Sequence, residues 1–213
     1  GLDWGQTIEV RFQQRFAGIP VDDIIVVGSD GANQRILALQ IKHDLTFSDS
    51  EKNETFQKVI RECWKTFSGV YGFEFNSEKD RIGIGVGIFN ANLDKHLRPL
   101  LELARKARDA GDFFKKIRLP DFSHKTKIDY IDAFRNLLTQ AKESPITEDE
   151  YWRFLKCLVV LHFDLENEGS RDSIQSWNRL RDQIPDGDWK QANTLFSFLV
   201  HEVAKFERNA GSI

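Results

Sequence analysis

The chain has 213 residues, 40% of them apolar and 12% aromatic, with 17 Phe and 5 Trp; that is enough for a substantial core and excludes an intrinsically disordered chain. Thirty Lys plus Arg against 33 Asp plus Glu give a formal charge of −3. This excludes the globally basic profile of an autonomous nucleic-acid binder, so any polyanion must be met by a local basic patch or by symmetry copies in an oligomer.

Residues 2–17 place Trp4, Ile8, Phe12 and Phe16 at a spacing of four, which predicts one face of an amphipathic helix, ended by Gly18-Ile19-Pro20. Glu9 lies beside that face. Next come two apolar runs, Val21–Val27 and Ile36–His43, separated by the turn-forming Gly28-Ser29-Asp30-Gly31. Their Ile and Val content and the turn between them predict an antiparallel hairpin. Successive strand side chains alternate faces, so Gln40 and Lys42 share one face while Ile41 points into packing. A hairpin brings the ends of its strands together, so Asp22 or Asp23 comes close to Gln40 and Lys42. Asp22 and Asp23 point to opposite faces, and Asp23, which abuts the apolar run, is the one chosen to lead.

Several N-cap residues in Thr46–Ser50 precede a helix over Glu51–Phe67 with Phe56, Ile60, Trp64 and Phe67 on one face. The stretch Arg81–Phe89 alternates Ile82, Ile84, Val86 and Ile88 with Gly83, Gly85 and Gly87. That pattern predicts a strand with a glycine face open to close approach. A nucleotide site is disfavoured there, because no Gly-Lys-Ser/Thr follows. From Leu93 the pattern turns helical, with Pro99 as a kink or a later start, then a helix over Ile128–Ala141 and one entered through Ile146–Glu150. Cys157–Leu165 reads as a last strand, and Arg171–Leu180 and Trp189–Phe206 as closing helices.

The fold class is therefore α/β with a mixed sheet, in a single domain. Residues 1–92 and about 157–213 form its core with closing helices, and about 93–156 form a helical insertion. Cys63 and Cys157 sit in apolar patterns and read as small buried hydrophobes of a reducing compartment. His162 and His201 read as packing histidines, and no His or Cys spacing suggests zinc. No run approaches a membrane span and none reads as a signal peptide, so a cytoplasmic location is expected. There is no Met at all, so the chain is expected to be a fragment, N-terminal in a longer polypeptide.

Asp22-Asp23-Ile24-Ile25, then Gln40-Ile41-Lys42-His43, and more loosely Phe154-Leu155-Lys156 through Leu161-His162-Phe163-Asp164-Leu165, resemble the PD-(D/E)xK nuclease core in its QxK variant. The likeness is greatest to the double-strand DNA endonuclease domain of bacterial anti-phage effectors, the CD-NTase-associated endonucleases and some STAND-type NTPase defence proteins. The resemblance implies a restriction-endonuclease-like sheet flanked by helices, and a bacterial cytoplasmic, metal-dependent endonuclease acting on double-stranded DNA. It implies Asp23, Gln40 and Lys42 as catalytic residues, with Glu9, Asp22 and His43 as further candidates. It also implies Mg²⁺ or Mn²⁺ held by Asp23, Gln40 and the main-chain carbonyl of Ile41, with Glu9 as an added ligand. Apart from the resemblance, the basic clusters Lys115, Lys116, Arg118 and His124, Lys125, Lys127, which flank Pro120, are the candidates to meet DNA phosphates, and a solvated basic loop is the other reading of them. Cutting two strands takes two sites, so a homodimer or higher oligomer is expected. The alternative is a non-catalytic DNA-binding or oligomerisation module on the same fold.

Overall fold

The first segment is a strand, not the helix its spacing predicts. In the computed structural model, which describes residues 5–14, 18–21, 23–69, 74–88, 91–120, 122–165, 167, 169–184 and 187–208, Gln6–Phe12 forms β1 and pairs antiparallel with β2, Ile24–Ser29. A spacing of four is an even number, so it satisfies the two-residue period of a strand as well as a helical stripe. The β-branched Thr7, Ile8 and Val10 then favour the pleated form. A bulge between Thr7 and Glu9 turns Ile8 out to half exposure. Trp4 and Phe16 of the expected stripe lie outside the described residues.

β2 continues into the hairpin with β3, Gln34–Lys42, in a register that pairs Ile24 with Leu39 and Ser29 with Gln34. The turn is held by Asp30, whose Oδ1 accepts from the N–H groups of Ala32 and Asn33. These two bonds, more than the neighbouring Arg35, pull its carboxyl below the usual aspartate range. The described strands form one mixed five-stranded sheet in the order β1-β2-β3-β4-β5. β4, Arg81–Val86, and β5, Leu158–His162, run parallel to β3.

Helices flank this sheet. α1, Glu54–Phe67, buries Phe56, Ile60, Cys63 and Trp64. A single π-helical turn, Leu93–Leu97, leads into α2, Arg98–Lys106, with Pro99 in its first turn. Proline has no N–H to lose at that position. The turn buries His96, whose ring stacks on that of His124. α3, Ala110–Ile117, is a helix that periodicity alone did not mark out. Asp109 caps it, and Phe113, Phe114 and Ile117 face inward. α4, Lys125–Lys142, and α5, Glu148–Cys157, complete the stretch expected to be an insertion. Their buried residues, Phe134, Leu138, Tyr151 and Phe154, belong to the same apolar cluster as Ile25, Ala38, Ile84 and Val160 of the sheet. The edge-to-face Phe56–Phe134 contact joins α1 to α4.

α5 begins with a full capping box: Thr147 Oγ1 accepts from Glu150 N–H, and Glu150 Oε2 accepts from Thr147 N–H at 2.9 Å. Lys142 closes on the same carboxylate at 2.7 Å. That hydrogen bond first, and the Thr147 N–H second, hold the Glu150 carboxyl down at about 2. A folded value below the unfolded one adds stability that is fully present above the ordinary glutamate range and is lost as pH falls through it. Glu150→Ala is expected to cost about 1 kcal/mol of unfolding free energy at neutral pH, and the difference from wild type should shrink in acid; denaturant titration at several pH values checks both.

α6, Arg171–Arg181, and α7, Trp189–Arg208, pack as a pair through Trp177 and Phe196. A cleft of about 890 Å³ between them is lined mainly by Leu180, Phe196, Leu199, Val200 and Val203. No helix among the described residues is long and apolar enough to cross a membrane.

Candidate active site

The β2–β3 register decides which polar groups meet. Because Ile24 pairs with Leu39, Asp23, one residue earlier, stands opposite Gln40. It shares its face with Ile25 and Val27, both buried in the core. Asp22 lies outside the described residues. Gln40 and Lys42 are on that same face of β3, and along β4 their partners are Ile84 and Val86.

One carboxylate oxygen organises the cluster. Asp23 Oδ2 accepts from the Gln40 side-chain amide and, at 2.7 Å, from the main-chain N–H of Ile41. Ile41 lies past the last β2–β3 pair, so the carboxylate supplies an acceptor where the neighbouring main chain has ended. Lys42 Nζ donates to the Ile41 carbonyl at 2.9 Å and sits 3.6 Å from Asp23 Oδ2. Asp23 and Lys42 keep 25% and 31% of their side-chain surface exposed. Gln40, at 4%, is buried.

Among the described residues Gln40 Oε1 has no hydrogen-bond partner. A buried acceptor left unpaired costs about 1–3 kcal/mol, and turning the amide over would not relieve it, because Oε1 would then face the Asp23 oxygen, acceptor to acceptor. Asp23, the Ile41 carbonyl and the Gln40 amide oxygen, once turned toward them, would make a set of hard oxygen donors of the kind Mg²⁺ selects. On that observation the residues present fit a divalent metal, with one carboxylate in the set. Among the described residues no three His, Cys, Asp or Glu side chains come together as a metal cluster.

The cluster lies at the carboxyl ends of the parallel strands. Lys42, Val86 and His162 form one rung across β3, β4 and β5. Beyond it, Gly87 N–H donates to the carbonyls of Lys42 and His43, Ile88 N–H donates to His43, and His162 Nε2 lies 3.1 Å from the Gly87 carbonyl. A Cβ at Gly87 would come 3.1 Å from the His43 carbonyl oxygen, so the absence of a side chain there lets the chains close. Carboxyl ends of parallel strands are where α/β sheets hold ligands. His162, read from sequence as a packing residue, thus ends on the rung of Lys42; a histidine closing a strand was the available signal. His43 is exposed just past Lys42.

Other candidates are not brought to the cluster. Glu9 sits on β1 opposite Val27, and its carboxylate pairs with Arg11 at 2.7 Å. Val27 is four residues from Asp23, about 13 Å along the strand. Glu9 was placed near the site on the premise of a first helix, and that premise does not hold. Lys115 and Lys116 occupy the last turn of α3, where Lys116 bonds Asp112 at 2.8 Å; this bond, with the N–H of Arg108 second, draws the Asp112 carboxyl down to about 2. Lys127 lies over the Phe122 ring at 3.9 Å. Lys115, Arg118, His124 and Lys125 are exposed. On the glycine face of β4, the space at Gly83 is taken by Leu39 and that at Gly85 by Ile41 and Phe163, so strand packing accounts for both glycines.

Comparison with known proteins finds no matching family model, no matching curated protein and no matching solved structure.

Proposed function

We propose that this chain is a metal-dependent endonuclease domain that hydrolyses phosphodiester bonds of double-stranded DNA, built on a restriction-endonuclease-like sheet. The observation that carries the reading is the cluster at the end of the β2–β3 hairpin: the Asp23 carboxylate, the Gln40 amide bonded to it, the Ile41 carbonyl and the Lys42 ammonium meet at the carboxyl ends of parallel strands. The PD-(D/E)xK resemblance adds the substrate class and the setting, a bacterial anti-phage effector acting in the cytoplasm.

Asp23, Gln40 Oε1 and the Ile41 carbonyl would hold Mg²⁺ or Mn²⁺. Such an ion neutralises phosphate charge and makes a bound water a better nucleophile. With a single carboxylate among its ligands the site is weak by itself, so the phosphate of bound DNA is expected to supply a further oxygen. Lys42 cannot ligate a cation while protonated. It stands where its charge orients the attacking water and stabilises the negative charge that builds on the attacked phosphate. Lys115, Lys125 and Arg118, exposed near the junction of α3 and α4, are the residues offered to backbone phosphates. A set of such contacts makes DNA affinity fall linearly in log–log with salt.

The test is supercoiled plasmid incubated with Mg²⁺ or with EDTA over a wide range of protein concentration. Nicked and linear product with Mg²⁺ and none with EDTA is expected. Because two strands need two sites, the linear fraction should rise more steeply than the first power of concentration. Retardation of DNA without cutting under every condition, including forced dimerisation, would replace this reading with a non-catalytic DNA-binding or oligomerisation module.

A further inference from the structure

We propose that the Gln40 carboxamide is a two-position latch on the metal site. With Nε2 turned to Asp23, as in this structure, it satisfies the carboxylate, and with Oε1 turned to Asp23 it would complete an oxygen site for a divalent cation. The proposal rests on the metal-dependent reading above and adds how the empty site is kept stable and what loading must undo.

The amide is held asymmetrically. Its donor end bonds Asp23 Oδ2, while its acceptor end is buried with no partner among the described residues. The two ends of a carboxamide are nearly the same size, and rotation about the last torsion of glutamine is broad and roughly two-fold. The cavity that holds one orientation therefore holds the other. What forbids the turned orientation in the metal-free protein is the approach of two acceptors, Oε1 and Oδ2. A cation between them reverses that sign, because both oxygens become ligands. The Ile41 N–H continues to hold Oδ2 in either position, so Asp23 does not have to move when the amide turns.

The chemistry also says why an amide at position 40 differs from a carboxylate. Glutamate in this buried place would set two carboxylates against each other. Glutamine instead gives an empty site that is internally bonded and neutral at position 40. Metal must displace the amide–carboxylate bond to enter. The loaded state is then reached only at high metal concentration, or when substrate phosphate adds its own oxygen.

The experiment observes the latch directly, in the full chain. With ¹⁵N-glutamine labelling and the Gln40 side-chain amide assigned through Gln40→Leu, Mg²⁺ is titrated while calorimetry follows binding. The Gln40 NH₂ resonances are expected to leave their hydrogen-bonded position with the same midpoint as the heat of binding. In parallel, Gln40→Glu is expected to bind Mn²⁺ about tenfold or more tightly than wild type. If Mg²⁺ binds and plasmid is cut while the Gln40 resonances stay in place, the latch is wrong and the nuclease reading stands. If Mg²⁺ gives neither heat nor any change in the labelled amides, with DNA present or absent, both fall together. Should Gln40→Glu not fold, the wild-type resonances alone decide.

Discussion

Lys42→Ala is expected to abolish plasmid cleavage, with a loss of about 10²–10⁴-fold in rate, while the domain stays folded. The fold is expected to survive because Lys42 is half-buried at the end of β3 and, among the described residues, its ammonium serves only the Ile41 carbonyl and the Asp23 carboxylate. Removing it frees a carbonyl that water can reach and leaves no buried donor unpaired. Lys42→Arg keeps the charge, but spreads it over a wide planar fork instead of a compact ammonium, so it is expected to restore DNA retention and not cleavage. Asp23→Ala makes a poorer probe, since it strands the Ile41 N–H and the buried Gln40 amide together, at about 1–3 kcal/mol for each donor left unsatisfied. Single-turnover cleavage with saturating protein, beside circular dichroism of each variant, separates chemistry from folding. A Lys42→Ala protein that cuts at the wild-type rate would remove the hairpin from the mechanism.

What the sequence made legible was the part whose geometry is local. The alternation Gln40-Ile41-Lys42 sets two polar groups on one face whatever surrounds them. The Gly-rich turn fixes that β3 folds back on β2, so an aspartate near the start of one strand must approach the end of the other. The choice of Asp23 over Asp22 needed the register, and only the pairing of Ile24 with Leu39 supplies it. Glu9 shows the opposite case. Its assignment depended on a helix inferred from Ile8 and Phe12, and a spacing of four does not tell a helix from a strand. The order of β4 and β5 beside β3 was likewise out of reach, because parallel pairing is set by crossovers through α1 and the later helices and leaves no mark in the strands themselves. The unpaired Gln40 Oε1 is a property of burial, and no linear pattern announces it. α3 is too short for periodicity alone to mark it out, and its signal is the cap: the Asp109 side chain accepts from the N–H of Asp112.

Phe134→Ala is expected to lower the stability of the whole domain by about 3–5 kcal/mol, not only that of the helices around it. The residue lies in α4, within the stretch 93–156 that reads from sequence as an insertion, and is fully buried. If that stretch were a separate unit, truncating Phe134 would melt it early and leave the sheet intact. The packing argues otherwise. Phe134 meets Phe56 of α1, and the Phe56 ring is tilted against that of Phe47 at 4.8 Å in the segment that leaves Lys42 for α1. Further along, Arg105 of α2 donates to the Leu158 carbonyl at 3.0 Å, and Trp152 Nε1 donates to the Ala104 carbonyl at 2.8 Å. α2, α5 and β5 are thereby one connected body with the sheet. A cavity at 134 therefore removes dispersion contacts from α1 and from the layer that supports the β3 exit, and the loss should appear as one cooperative transition at lower denaturant with an unchanged slope. Hydrogen exchange gives the sharper reading. Amides of β3 and β4 should lose protection together with those of α4, by the same factor. Protection lost in α4 alone, with β3 and β4 unchanged, would show that the helices fold on their own and that the β2–β3 hairpin does not depend on them.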